Sequence, residues 1–96
     1  MPTIHEAPER TVRVHVEWLP PYKVIVHNND HNTFPEVIAI LLKAVPGLTP
    51  PMAIRYTYEI HQSGAAVVFR GDVDVAERCA GIIRGIGIKV TVEADL

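Results

Sequence analysis

The chain has 96 residues, 48% of them hydrophobic, and a formal net charge of −2. That length and apolar fraction suit one domain with a self-sufficient core and exclude global disorder. Balanced charge without a Lys/Arg run argues against a nucleic-acid or anionic-membrane surface, and no apolar run approaches a membrane span or a signal-peptide core. The single cysteine, Cys79, excludes an intramolecular disulfide and a multi-cysteine metal site. A soluble, cytoplasmic domain is the plain expectation.

In chain order, residues 1–21 read as an N-terminal extension and 22–96 as a core domain. Met1–Arg10 is polar, carries Pro2 and Pro8, and is expected to be loose. Thr11–Trp18 alternates, with Val12, Val14, Val16 and Trp18 on one side, which is a strand period. It either pairs with an edge of the domain or lies extended across it, and Pro20-Pro21 end it. "YKVIV" (22–26) is a continuous apolar strand, expected to be buried on both faces. "HNNDHN" (27–32) is a turn, because Asn and Asp bond their own backbone and tolerate left-handed conformations.

Thr33 caps the next helix, and Glu36 three residues on completes a capping box. Val37, Ile38, Ile40, Leu41, Leu42 and Val45 give that helix a wide apolar face before Pro46-Gly47 stop it. Thr49 caps a second helix, with Pro50 and Pro51 in its first turn and Gly64 closing it. "AAVVF" (65–69) is a second core strand, 71–84 a third helix, and "IKVTVE" (88–93) a last strand after the Gly85-Ile86-Gly87 turn. The order strand, two helices, strand, helix, strand defines an α+β layer fold, a small sheet with helices over one face.

Catalytic chemistry has little support. Cys79 falls mid-helix among small and apolar residues, where a buried inert thiol is the natural reading. Neither a nucleophile elbow around Ser63 nor a phosphate-binding Gly loop is present. His27, His31, His61 and Asp30 make a metal set only if the second helix folds back over the loop, and exposed loop histidines explain them without a metal. Asn28, Asn29 and Asp30 offer acceptors beside an apolar helix–helix groove, to which a histidine can add another. That combination suits a ligand with an ammonium head and a hydrophobic side group, such as a peptide's free N-terminus with a large first residue. Stabilising the turn and the helix start would explain the same residues.

"PPYKVIVHNNDHNTF", "KAVPGLT" and "EIHQSGAAVVF" together resemble the ClpS family of Clp-protease adaptors, the N-degron recognition proteins. The likeness runs from Pro20 to about Glu93, and "VPGLT" and "RGIGIKVTVE" are most similar to the cyanobacterial and plant branch. The resemblance implies a small three-stranded antiparallel sheet with helices on one face, no catalysis, no cofactor and no metal. It implies binding of proteins with N-terminal Leu, Phe, Tyr or Trp and their delivery to a Clp AAA+ ATPase of the ClpA or ClpC type. The α-amino group would be held by Asn28 and His61 together with the loop positions Asn29 and Asp30. The first side chain would enter a pit lined by Phe34, Val37, Thr57 and Ile60. A metal- or ligand-binding domain that kept the fold but lost N-degron binding is the alternative.

Two positions depart from the family pattern. Asn29 stands where the family usually has Asp. A charge-assisted hydrogen bond contributes about 1.5–3 kcal/mol against about 1 for a neutral one, so Asn29→Asp is expected to tighten binding unless Asp30 is the working acid. Thr57 stands where many relatives carry Met; it is shorter and stiff at χ1, which would leave the pit wider or choosier.

Overall fold

Strand β1 (Tyr22–His27) pairs antiparallel with both β2 (Ala65–Gly71) and β3 (Val90–Ala94), in the sheet order β2-β1-β3. Helices α1 (Phe34–Ala44) and α2 (Pro50–Ser63) connect β1 to β2, and α3 (Val73–Arg84) connects β2 to β3. The computed structural model describes residues 19–96. The loose segment expected over 1–10 and the strand expected over Thr11–Trp18 lie outside the described residues. The α+β fold with its three-stranded antiparallel sheet is as expected.

Local chemistry sets the helix ends. Thr33 accepts from the Glu36 backbone N–H while the Glu36 carboxylate accepts from the Thr33 N–H, a complete capping box with Pro35 in the first turn. Those hydrogen bonds, led by the Thr33 backbone N–H, hold the Glu36 carboxyl below its ordinary pKa. Thr49 caps α2 ahead of Pro50 and Pro51, and Gly64 ends it at φ 88°, a left-handed conformation that glycine adopts without a Cβ penalty. Asp72 caps α3. No described helix is long and apolar enough to cross a membrane.

The core lies between the helices and one face of the sheet. Val24 and Val26 of β1, Ala66 and Val68 of β2, and Val90 of β3 are buried there against Leu41, Ala53, Ile60, Ala76, Ala80 and Ile83. The expectation that β1 is buried on both faces does not hold. Lys23, Ile25 and His27 are only half-buried, because the buried residues of the sheet alternate and the helices cover one side. Near Lys23 that second side carries ion pairs, Lys23 with Glu93 at 3.6 Å and Arg70 with Asp95 at 3.0 Å; exposed pairs of this kind add little stability. A bulge in β2 sets Val24 opposite Phe69 and Ile25 opposite Val67, so consecutive residues Val68 and Phe69 both meet the core.

The last strand begins at Val90 rather than Ile88. Lys89 gives its carbonyl to the His27 N–H at 3.0 Å, where β1 ends, and Ile88 beyond it has no strand to pair with. Cys79 is buried, and its thiol donates to the Ala44 carbonyl at 3.1 Å, tying α3 to the end of α1. Burial pushes its pKa up. A thiolate is thus disfavoured in the folded state, and stability is lost as pH rises above the ordinary thiol range. An aromatic disulfide reagent is expected to modify Cys79 at least about a hundredfold more slowly in the native protein than in urea. Equal rates would place the thiol at the surface.

Candidate functional site

The loop after β1 is held at several points. The Asn28 backbone N–H donates to the Gly64 carbonyl at 2.8 Å, which ties the start of the loop to the end of α2. Asn29 Oδ1 accepts from the backbone N–H of His31 (3.2 Å) and of Asn32 (3.1 Å), an Asx turn. Asn29 Nδ2 donates to Asn32 Oδ1 at 2.8 Å, and Asn32 Nδ2 donates to the Ile86 carbonyl at 2.9 Å. Thr33 then starts α1. The turn of "HNNDHN" is therefore a hydrogen-bonded platform between α2 and the α3–β3 connection.

A cavity of about 270 Å³ opens at this platform. Asn28, Asn29, Asp30 and Asn32 of the loop, Phe34 and Val37 of α1, Thr57, Ile60 and His61 of α2, and Ile88 before β3 line it. All eight residues singled out in the sequence are brought together here. Asn32 and Ile88 were not singled out. Val37, Thr57, Ile60 and Ile88 are buried, while Asn28, Asp30 and His61 are exposed at the mouth. The site thus has an apolar floor and a polar rim.

Each lining group has a definite role in this geometry. The Thr57 hydroxyl donates back to the Ala53 carbonyl at 2.8 Å, which satisfies its only donor and leaves its methyl group for the pit. The Phe34 ring stands edge-on to Tyr58 (5.1 Å between centroids, 87°) and to His61 (5.2 Å, 71°), which fixes the wall between α1 and α2. Tyr58 is half-exposed, whereas Tyr56 packs against the core. The side chains of Asn28, Asp30 and His61 take part in none of the hydrogen bonds or ion pairs among the described residues. They are open acceptors for a donor-rich cation, whereas both lone pairs of Asn29 Oδ1 are occupied.

The metal set considered from the sequence is not assembled. His27 Nε2 lies 3.0 Å from Thr91 Oγ1 across the sheet, and no three His, Cys, Asp or Glu residues among those described could hold an ion. A second depression of about 300 Å³, wider and shallower, lies by Leu48, Met52, Tyr56 and Phe69. Its one charged residue is Arg70, and it offers a cation nothing comparable to the first.

Fold and cavity define a small binding module with a pit for one apolar group beside acceptors for a cation. Residues 18–89 match the family described as ATP-dependent Clp protease adaptor protein ClpS, and the chain belongs to that family. It is 31% identical over 90 residues to the ClpS adapter of Synechococcus elongatus, covering 94% of this chain and 93% of the relative. With the adapter of a Nostoc species it shares 38% over 87 residues, 91% of this chain and 88% of that one. The chloroplastic CLPS1 of Arabidopsis thaliana is 38% identical over 77 residues, 79% of this chain and 48% of the plant protein. Among solved structures, Agrobacterium tumefaciens ClpS2 bound to L-phenylalaninamide superposes with a TM-score of 0.71 at 28% identity, covering 79% of this chain and 98% of that one.

Proposed function

We propose that this protein is a non-enzymatic adaptor that binds proteins with N-terminal Leu, Phe, Tyr or Trp and delivers them to a Clp AAA+ ATPase of the ClpA or ClpC type. The observation that carries this reading is the division of the pit, with open acceptors at its mouth and apolar side chains at its floor. An N-terminal residue presents the complementary pair, an ammonium and, on the same Cα, an apolar side chain. The ammonium would sit among Asn28, Asp30 and His61, and the side chain among Phe34, Val37, Thr57, Ile60 and Ile88. Phenylalaninamide, held by the Agrobacterium relative, has the same two features, a free amino group and a benzyl side chain. A volume of about 270 Å³ lies below the usual drug-sized range and suits a single residue.

No nucleophile among the lining residues argues for chemistry on the bound chain, and Cys79 is buried elsewhere, against Ala44. A lone buried thiol also fits a reducing, cytoplasmic compartment. Fluorescence anisotropy with peptides differing only in their first residue tests the reading. Peptides starting with Leu or Phe are expected to bind about ten- to a hundredfold more tightly than a Gly-starting twin, since burying such a side chain contributes about 1.5–3 kcal/mol. Equal affinities would overturn it. Degradation of a Phe-starting substrate by a Clp ATPase and its peptidase, with and without the adaptor, tests delivery.

A further inference from the structure

The loop amides carry information that the pit alone does not. Asn29 and Asn32 are both half-buried, and both ends of each carboxamide are engaged. The Ile86 carbonyl can only accept, so it fixes the Asn32 amide nitrogen towards the α3–β3 turn. Asn32 Oδ1 must then face residue 29, and it too can only accept. Residue 29 must therefore present a donor, which Asn29 Nδ2 does at 2.8 Å. An ionised carboxylate has no donor to give. The amide orientations follow from the backbone carbonyl at the end of the relay, not from an arbitrary choice of flip.

We infer that Asn29 and Asn32 form a latch that holds the recognition loop against the Ile86 turn, with Asn29 a positioning residue and Asp30 the carboxylate that faces the ligand's ammonium. The functional half of this inference rests on the N-degron reading of the pit. The latch and the Asn28–Gly64 bond hold opposite ends of one short loop. Between them they set Asn28 and Asp30 relative to His61. Asn29 is thus matched to its partner Asn32, and replacing it by the carboxylate usual in the family disturbs the loop instead of improving the site. With a carboxylate at 29, Asn32 can turn its nitrogen towards it only by setting its own oxygen against the Ile86 carbonyl. One arm of the latch is lost either way.

The test uses the full chain and four proteins: parent, Asn29→Asp, Asn32→Ala and the double variant. A Leu-starting peptide is expected to bind Asn29→Asp about fivefold more weakly, the size of one lost neutral hydrogen bond. In the Asn32→Ala background the same change is expected to cost nothing, because the opposing carbonyl is gone. In the unliganded proteins, NMR solvent exchange of the His31 and Asn32 amides should rise about fivefold in both single variants, while that of β1 stays unchanged. Tighter binding by Asn29→Asp, additive losses, or unchanged loop exchange would each overturn the latch. If the parent binds no Leu-starting peptide, the N-degron reading falls, and exchange in the free protein still decides whether the latch exists.

Discussion

Acetylating the N-terminus of a Leu- or Phe-starting peptide is expected to lower its affinity for this protein by at least about a hundredfold. The modification removes the positive charge and two of the three donors at once, while leaving the first side chain intact. Of the three acceptors Asn28, Asp30 and His61, two would lose a partner. A hydrogen bond to a charged group contributes about 1.5–3 kcal/mol, but these groups are exposed at the rim, where water and salt screen them. A hundredfold therefore corresponds to the two lost bonds, each contributing near the lower end of that range. Binding of the free peptide should weaken between low and high salt, and Asp30→Asn should flatten that dependence. Equal affinity for the acetylated and free peptides, read by anisotropy, would remove the N-terminus from the account.

The residues that declared themselves in the sequence act locally. Thr33 with Glu36, Thr49 with two following prolines, and Gly64 each satisfy backbone groups within a few positions, and each helix end falls where they place it. The floor of the pit was legible because Val37, Thr57 and Ile60 sit on helices whose buried faces follow from spacing and from the family resemblance. What the sequence hid depends on distant partners. Asn32 reaches a carbonyl 54 positions away, and only the neighbouring Asx turn, with Asn at 29 and 32, hinted that it was more than loop. The run Val24-Ile25-Val26 has no polar alternation, so its two faces looked alike until the helices covered one of them. The same limit applies to Asn29. Its residue type suggested a weakened ammonium ligand, whereas its hydrogen bonds spend the amide on the loop.

Filling the pit from its own wall should separate binding from folding. Thr57→Phe is expected to lower affinity for Leu- and Phe-starting peptides by about ten- to a hundredfold, since the ring takes the space in which the first side chain would gain about 1.5–3 kcal/mol. Thr57 is 2% exposed, and a larger side chain at a buried position usually costs about 1–3 kcal/mol through overpacking. Here the added ring has somewhere to go, because Thr57 borders a cavity of about 270 Å³ that is open at its mouth. Apolar contact with Val37, Ile60 and Ile88 then offsets the strain. Losing the hydroxyl removes its bond to the Ala53 carbonyl, but that oxygen still accepts the helical N–H of residue 57. The free variant is therefore expected to melt within about 4 °C of the parent, a stability change under about 1 kcal/mol for a domain of this size. Undiminished peptide affinity would show that the first side chain does not occupy this cavity. A drop in melting temperature well beyond that margin would show that the wall at Thr57 is closed packing rather than the side of an open pit.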